Sequence, residues 1–133
     1  DSMKAGLDGL LKWRSGAEKQ PYRIAVLGAM LELGSDERQL HEGIGRYAVE
    51  NGVDAVVAVG SMTDKSLDAL AEDMVEGGKS AGAGFATVQW AHDADEADRI
   101  VSGLAAGHTD AVVLLKGSHA SGLSALAERW TRN

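Results

Sequence analysis

The chain has 133 residues, with 13 lysines and arginines against 20 aspartates and glutamates, so its formal net charge is −7. This length predicts a single domain, since domains typically have about 100–150 residues. The acidic balance argues against a protein that binds a nucleic-acid backbone, which needs a basic surface. Cysteine is absent, which excludes disulfides and cysteine-ligated metals and fits a reducing cytoplasm. No apolar run approaches the roughly 18 residues of a membrane span.

Glycine is the main compositional bias, with 17 glycines against a single proline. This is almost twice the usual fraction of about 7%. Many glycines without prolines favour tight turns and close packing over a flexible linker. Segment 76–84, EGGKSAGAG, is especially rich in small residues, and we expect a loop or a sheet edge there.

Four short apolar runs predict β-strands at residues 22–28, 54–60, 85–89 and 111–115. Their apolar content is nearly continuous and does not alternate with polar residues. That pattern is typical of strands whose two faces are both buried, as in a parallel sheet covered by helices.

Five segments with helical spacing of apolar residues flank and separate these strands. Their apolar residues are Met3, Leu7, Leu10 and Leu11; Leu40, Ile44, Tyr47 and Ala48; Leu67, Leu70, Ala71, Met74 and Val75; Ala97, Ile100, Val101 and Leu104; and Leu123, Leu126, Ala127 and Trp130. Asp93 and Glu96 are spaced as in a capping box, which marks a helix start. The alternation predicts an α/β fold with three layers, α-β-α, around a mostly parallel, Rossmann-like sheet.

Three loops are the candidate ligand-binding segments. In open parallel sheets, ligands bind outside the carboxyl ends of the strands, and this rule selects residues 29–35, 61–64 and 116–121. Ala29 follows a strand-ending glycine, so we expect its side chain to reach solvent or an interdomain cleft. Ser61 begins the second of these loops.

Lys116 is the leading candidate for a binding residue. It follows a buried strand directly and precedes Gly117 and Ser118, a combination that suits an anion-binding turn. His119 lies in the same loop and offers a pH-dependent donor. A strand-end lysine can equally be an ordinary solvated side chain, and the sequence alone leaves both interpretations open.

The other histidines, His41, His92 and His108, show no metal-ligand spacing and are interpreted as surface or capping residues. A Gly-x4-Gly-Lys-Ser/Thr phosphate loop is also missing, so the chain does not look self-sufficient for ATP. Phosphoacceptor receiver domains share the architecture, but they need an aspartate at the end of the third strand, where this chain has roughly Gln89-Trp90.

Two motifs, AVLGAMLELG (25–34) and LLKGSHASGL (114–123), together resemble the C-terminal domain of the Mur ligases, and within that family the MurF branch. The pattern Gly-Asp-Met-x-Glu-Leu-Gly of that branch is matched at Met30 and Glu32, and its Lys-Gly-Ser-Arg pattern at Lys116 and Ser118. Two positions depart from the family: its aspartate is Ala29 here, and its arginine is His119.

The resemblance implies a domain organisation. Residues 1–133 form a single Mur ligase C-terminal domain, with residues 1–18 as a leading junction helix and linker. The N-terminal domain, which binds the UDP-sugar, and the central ATPase domain belong to a longer protein of which this chain is expected to be a piece.

The resemblance also implies a function, namely addition of D-alanyl-D-alanine to UDP-N-acetylmuramoyl-tripeptide by a cytoplasmic, ATP-dependent ligase of bacterial peptidoglycan synthesis. ATP would phosphorylate the tripeptide carboxylate, and the dipeptide amine would then attack the acyl phosphate. ATP and Mg²⁺ would be bound mainly by the central domain, so this chain alone would be inactive, with no catalytic residue and no metal ligand. The residues expected to contact substrate or nucleotide are Lys116, Ser118, His119, Met30, Glu32 and Ser61.

Two alternatives remain open. The chain could be the equivalent domain of another ligase of the superfamily, such as a folylpolyglutamate-type enzyme. It could also be a free-standing, noncatalytic α/β binding module. The expected partners of the leading interpretation are the small-molecule substrates and the protein's own other two domains, with no nucleic acid and no membrane span.

Overall fold

The computed structural model describes residues 22–29, 37–81, 86–108 and 111–116. Strands and helices alternate through these residues, as predicted. In chain order they are β1 (Arg23–Gly28), α1 (Glu37–Glu50), β2 (Ala55–Val59), α2 (Lys65–Ser80), β3 (Thr87–Ala91), α3 (Ala94–Ala106) and β4 (Val112–Lys116). The two outermost predicted helices, which begin near Met3 and Leu123, lie outside the described residues. Within the described ranges, none of the helices is long and apolar enough to cross a membrane.

The four strands form one sheet in the order β3-β2-β1-β4, and every neighbouring pair is parallel. In the register of the sheet, Val26 of β1 lies opposite Val57 of β2 on one side and Leu115 of β4 on the other. Because all four strands run the same way, their carboxyl ends meet at one edge of the sheet, as the choice of candidate loops assumes.

Helices cover both faces of the sheet, which confirms the three-layer α-β-α prediction. Ala25 and Leu27 of β1 point to the face covered by α1 and α2. Ile24 and Val26 point to the opposite face, which α3 covers. Every residue of β1 and β2 is buried, so the lack of polar alternation in the sequence has a direct structural cause.

Helices α1 and α2 cross at glycines, and for residues 76–80 this overturns the prediction of a loop or a sheet edge at residues 76–84. Helix α2 continues to Ser80. A Cβ atom on Gly77 would run into the backbone carbonyl of Glu42, and one on Gly45 into that of Met74. The glycines of the EGGK sequence therefore let two helix backbones touch rather than break the helix. Residues 82–85 lie outside the described ranges.

Strand β3 lies two residues later than predicted, at Thr87–Ala91 instead of 85–89. The extension is held by the β2 loop, since the backbone N–H of Gly60 donates to the carbonyl of Ala91 at 2.8 Å. Ala91 is fully buried, whereas Gln89, where the prediction ended the strand, is an exposed residue within it. Helix α3 then begins as predicted, because the Asp93 carboxylate accepts the backbone N–H of Glu96 at 2.7 Å.

Candidate functional site

Three of the candidate loop positions lie at one edge of the sheet. Ala29 follows β1, Ser61 follows β2 by two residues, and Lys116 is the last residue of β4. Lys116 lies opposite Leu27 in the register, and the N–H of Ala29 donates to the carbonyl of Val59 at 2.9 Å. The prediction that the loops share an edge is confirmed for these parts. Met30, Glu32, Ser118 and His119 lie outside the described residues, and their roles stay predictions.

Ala29 does not reach solvent, contrary to the prediction. Its residue is only 1% exposed, and its side chain joins the core beneath α1 and α2. The backbone hydrogen bond to Val59 holds this residue in line with β1, so that its methyl group continues the row of Ala25 and Leu27 toward the core.

The Ser61 hydroxyl organises the turn between β2 and α2. Its Oγ accepts the backbone N–H of Thr63 at 3.1 Å and that of Asp64 at 2.9 Å, and it lies 3.2 Å from Thr63 Oγ1. Asp64 in turn is the N-cap of α2, because its carboxylate accepts the N–H groups of Ser66 and Leu67. The turn is thus built from side-chain hydrogen bonds, which the sequence motifs did not reveal.

A cleft of about 560 Å³ opens beside this turn, between α2, the end of β3 and α3. It combines acidic and basic side chains with Trp90 and the largely exposed Met62. The lining residues are Ser61, Met62, Lys65, Asp68, Ala69, Glu72, Trp90, His92, Asp93, Glu96 and Arg99. Most of these residues were not among the predicted site residues.

The most specific contact in the cleft is between Asp68 and His92. The two carboxylate oxygens of Asp68 lie 2.9 and 3.0 Å from Nδ1 of His92. A carboxylate can only accept, so Nδ1 is the donor. This hydrogen bond raises the pKa of His92 above its ordinary value, and the negative charges of Asp68, Glu96 and Asp93 act in the same direction, against the effect of partial burial.

His92 is partly exposed, but its interpretation as a surface or capping residue misses the hydrogen bond to Asp68. The rule that ligands bind at strand ends would have selected it had β3 been placed correctly, because His92 directly follows Ala91. The surface interpretation is wrong for His41, which is fully buried and whose Nδ1 donates to the carbonyl of Glu37 at 2.7 Å. His108 is exposed and stacks on Tyr22 with ring centroids 3.6 Å apart.

Lys116 lies at the carboxyl end of β4 as predicted, but within the strand and not in the loop after it, since β4 runs one residue past the predicted end at 115. It ends β4 and is partly exposed. From β1 the chain adds β2 and then β3 on one side of the sheet, whereas β4 pairs with the other side of β1. The order in which strands are added therefore reverses between β1 and β4. In α/β sheets this is the point where ligands bind. Lys116 therefore stands at the rim of the crevice that the fold favours for a ligand.

Taken together, the parallel sheet and the helices on both faces define a three-layer α/β domain with polar loops at the carboxyl edge of its sheet. Comparison with known proteins is more specific. The sequence model of the family described as "Mur ligase, glutamate ligase domain" matches residues 1–119, so the chain belongs to the Mur ligase family.

The relatives with curated names agree with this assignment. The UDP-N-acetylmuramoyl-tripeptide–D-alanyl-D-alanine ligases of Mycobacterium bovis and Mycobacterium tuberculosis are each 39% identical to the chain over 96% of its length. The corresponding ligase of Mycobacterium leprae is 37% identical. The match covers 26% of the M. bovis and M. tuberculosis proteins and 25% of the M. leprae protein, so the chain spans about a quarter of the relatives it matches.

Solved structures agree on the fold. Crystal structure I of MurF from Acinetobacter baumannii superposes with a TM-score of 0.75 at 24% identity, over 99% of this chain and 25% of that one. Crystal structure II of the same protein gives a TM-score of 0.72 at 22% identity, over 99% of this chain and 26% of that one. At this identity the likeness supports the architecture.

Proposed function

We propose that the chain is the C-terminal domain of an ATP-dependent ligase that joins D-alanyl-D-alanine to UDP-N-acetylmuramoyl-tripeptide in peptidoglycan synthesis. The observation that most supports this proposal is the 39% identity over 96% of the chain to ligases with that name. The substrates named, a UDP-sugar peptide and ATP, are cytoplasmic metabolites, and we accordingly place the protein in the cytoplasm of a bacterium.

In the proposed reaction, ATP phosphorylates the tripeptide carboxylate and the amine of the dipeptide attacks the acyl phosphate. The new amide bond forms as phosphate leaves. Among the described residues no group of three or more His, Cys, Asp or Glu side chains is placed to hold a metal ion. We propose that ATP and Mg²⁺ are bound mainly by the central domain of the longer protein, as the family resemblance implies.

The part played by this domain is to hold substrate or nucleotide at the carboxyl edge of the sheet. Lys116 supports this proposal because it combines a positive charge with a backbone fixed by pairing to β1. An ammonium group suits a carboxylate or phosphate oxygen. Ser61, Ser118, His119, Met30 and Glu32 are the other proposed contacts, of which Ser61 alone is described.

The test is substitution Lys116→Ala in the longer protein, with kcat/KM measured for each substrate and the melting temperature measured alongside. Loss of a charged hydrogen bond predicts a decrease equivalent to about 1.5–3 kcal/mol for the dipeptide or ATP. The melting temperature should change little, since Lys116 is partly exposed. Lys79→Ala is the matched control, because Lys79 is an exposed lysine in the last turn of α2.

Unchanged kinetics in Lys116→Ala would make this lysine an ordinary solvated side chain. The family description also names glutamate, so the same assay should offer glutamate in place of D-alanyl-D-alanine. Turnover with glutamate alone would favour the folylpolyglutamate-type alternative. A protein with no ligase activity towards any of these substrates would favour the noncatalytic binding module.

A further inference from the structure

We propose that Asp68 is a positioning residue that ties the Ser61 turn to the end of β3, and that the charge on His92 determines how firmly this turn is held. The inference rests on the proposed function in one respect, since it treats the Ser61 turn as part of the carboxyl edge of the sheet, where the proposed function has the ligand bind. The hydrogen-bonded link itself can be tested without catalysis.

One carboxylate joins three segments of the chain. Asp68 lies in α2, accepts the backbone N–H of Ser61 from the β2 loop at 3.2 Å, and accepts Nδ1 of His92 from the β3 loop at 2.9 Å. The same oxygen, Oδ1, takes part in both hydrogen bonds. A change in the charge of His92 therefore acts on Oδ1 of Asp68, the same atom that accepts the backbone N–H of Ser61.

The residue before Ser61 shows how closely the turn approaches this carboxylate. A Cβ atom on Gly60 would lie 2.6 Å from Cα of Asp68 and closer still to its Oδ1. Real Cβ contacts are never this short, so only glycine allows the chain to lie against α2 here. The turn therefore packs closely against Asp68 at Gly60 and is hydrogen-bonded to it at Ser61.

The link extends into the turn through Ser61. The backbone N–H of Ser61 donates to Asp68, while the hydroxyl oxygen of Ser61 accepts the backbone N–H groups of Thr63 and Asp64. The hydroxyl proton is left for Thr63 Oγ1, 3.2 Å away, or for a ligand at the sheet edge. The direction in which Ser61 presents this proton depends on how its backbone is anchored.

Several charged groups line the same cleft as His92. Asp68, Glu72 and Lys65 line the cleft from α2, Asp93 from the β3 loop, and Glu96 and Arg99 from α3. Glu96 also accepts the backbone N–H of His92 at 2.7 Å, which fixes the residue in place. The ring centroid lies 4.6 Å from that of Trp90.

The hydrogen bond to the Asp68 carboxylate raises the pKa of His92, so the ring stays charged to higher pH than a free histidine. A charged donor makes a stronger hydrogen bond than a neutral one. When His92 loses its proton, the neutral ring still donates from Nδ1, but less strongly. We therefore expect the hydrogen bond between Asp68 and His92 to weaken as the pH rises through the pKa of His92. Asp68 is then fixed less firmly, and so is the Ser61 turn that is bonded to it.

The first test is NMR titration of the ¹⁵N-labelled 133-residue chain, with the His92 ring and the Ser61 backbone amide followed together. The Ser61 amide shift should change with the same midpoint as the His92 ring. Asp68→Asn should lower the pKa of His92 and abolish this change, and His92→Gln should abolish it while retaining a hydrogen-bond donor. Glu72→Gln is the matched control, because it removes the same charge from the same helix and cleft and should leave the Ser61 titration intact.

A Ser61 amide that does not follow His92 in the unaltered chain would overturn the proposal. So would a titration that survives in Asp68→Asn. Should Asp68→Asn fail to fold, His92→Gln decides the question, because the His92 side chain is 45% exposed and lies outside the core.

The second test uses the longer protein. Loss of one hydrogen bond predicts that Asp68→Asn raises KM for D-alanyl-D-alanine or for ATP about twofold to tenfold, with a smaller effect on kcat. The unaltered protein should show a rise in KM across the titration of His92, and His92→Gln should not. An unchanged KM in Asp68→Asn would overturn the positioning role. Complete absence of ligase activity would instead refute the proposed function, and the NMR titration would still decide whether Asp68 holds the turn.

Discussion

Replacing Gly45 by alanine would test the close crossing of α1 and α2. The new Cβ would collide with the backbone carbonyl of Met74 and lie 3.1 Å from the backbone nitrogen of Gly78. Backbone atoms cannot rotate away as a side chain can, so the two helices must separate. Gly43 lies in the same helix, and a Cβ atom added there would meet nothing within 4 Å beyond the neighbouring backbone of its own helix. Gly43→Ala is therefore the matched control.

The expected magnitude follows from two opposing effects. Alanine is favoured over glycine inside a helix by about 1 kcal/mol, and this gain is common to both variants. Overpacking at a tight contact costs about 1–3 kcal/mol, and this cost applies to Gly45→Ala alone. The difference between the two variants therefore isolates the collision, and we expect Gly45→Ala to be less stable than Gly43→Ala by about 1–3 kcal/mol.

The measurement is urea unfolding of the 133-residue chain and its two variants, followed by far-ultraviolet circular dichroism. Gly43→Ala should raise the free energy of unfolding or leave it unchanged, and Gly45→Ala should lower it relative to that control. Equal stability of the two variants would refute the reasoning, because the helices would then have room for a methyl group at Gly45.

Three further predictions concern stability. Ala29→Asp should lower the free energy of unfolding by more than about 2 kcal/mol, because it buries a carboxylate in the core, and chemical denaturation measures this loss. Asp64→Ala should cost about 1 kcal/mol in the same assay through loss of the α2 N-cap. Folding raises the pKa of His92, so the stabilisation from its charged form is present at low pH and is lost as the pH rises through that pKa. The melting temperatures of the unaltered chain and of His92→Gln, measured at several pH values, should therefore approach each other as the pH increases.

The sequence predicted most of the architecture because its signals are local and strong. The runs at β1 and β2 are nearly continuous in apolar residues. Such runs, when they alternate with segments of helical spacing, favour a parallel sheet that helices cover on both faces. The order of the layers followed from the same alternation. The capping pattern of Asp93 and Glu96 likewise marked the start of α3, where the structure places it.

The errors arose where a residue type has two structural uses. The glycines at 77 and 78 resemble a loop in sequence, but here they lie at a helix crossing whose other half, Gly45, is more than thirty residues away. The polar Gln89 resembled the end of a strand, yet β3 continues to Ala91 because the β2 loop bonds to it. Ala29 resembles an exposed turn residue because it follows a glycine, but its hydrogen bond to Val59 and its packing in the core are contacts between distant segments that the sequence does not display.

The candidate site was predictable only in part. The strand-end rule found Ser61 and Lys116, because it needs no more than strand boundaries. It could not find Asp68, which lies in the first turn of α2 and not in a loop, and whose relevance follows only from its contacts with Ser61 and His92. Such a residue has no pattern of its own in the sequence.

The position of β1 in the sheet has a consequence for how the chain folds as it is synthesised. One edge of β1 pairs with β2, about thirty residues later, and the other with β4, about ninety residues later. Closing the longer loop costs about 1 kcal/mol more in chain entropy. At about 5–20 residues per second, the ribosome needs roughly 3–11 s after completing β2 to complete β4. During that interval the second edge of β1, whose residues after Arg23 are all apolar, has no β4 to pair with. An unpaired apolar edge is prone to association with other chains. We expect the nascent chain to depend most on chaperones in those seconds.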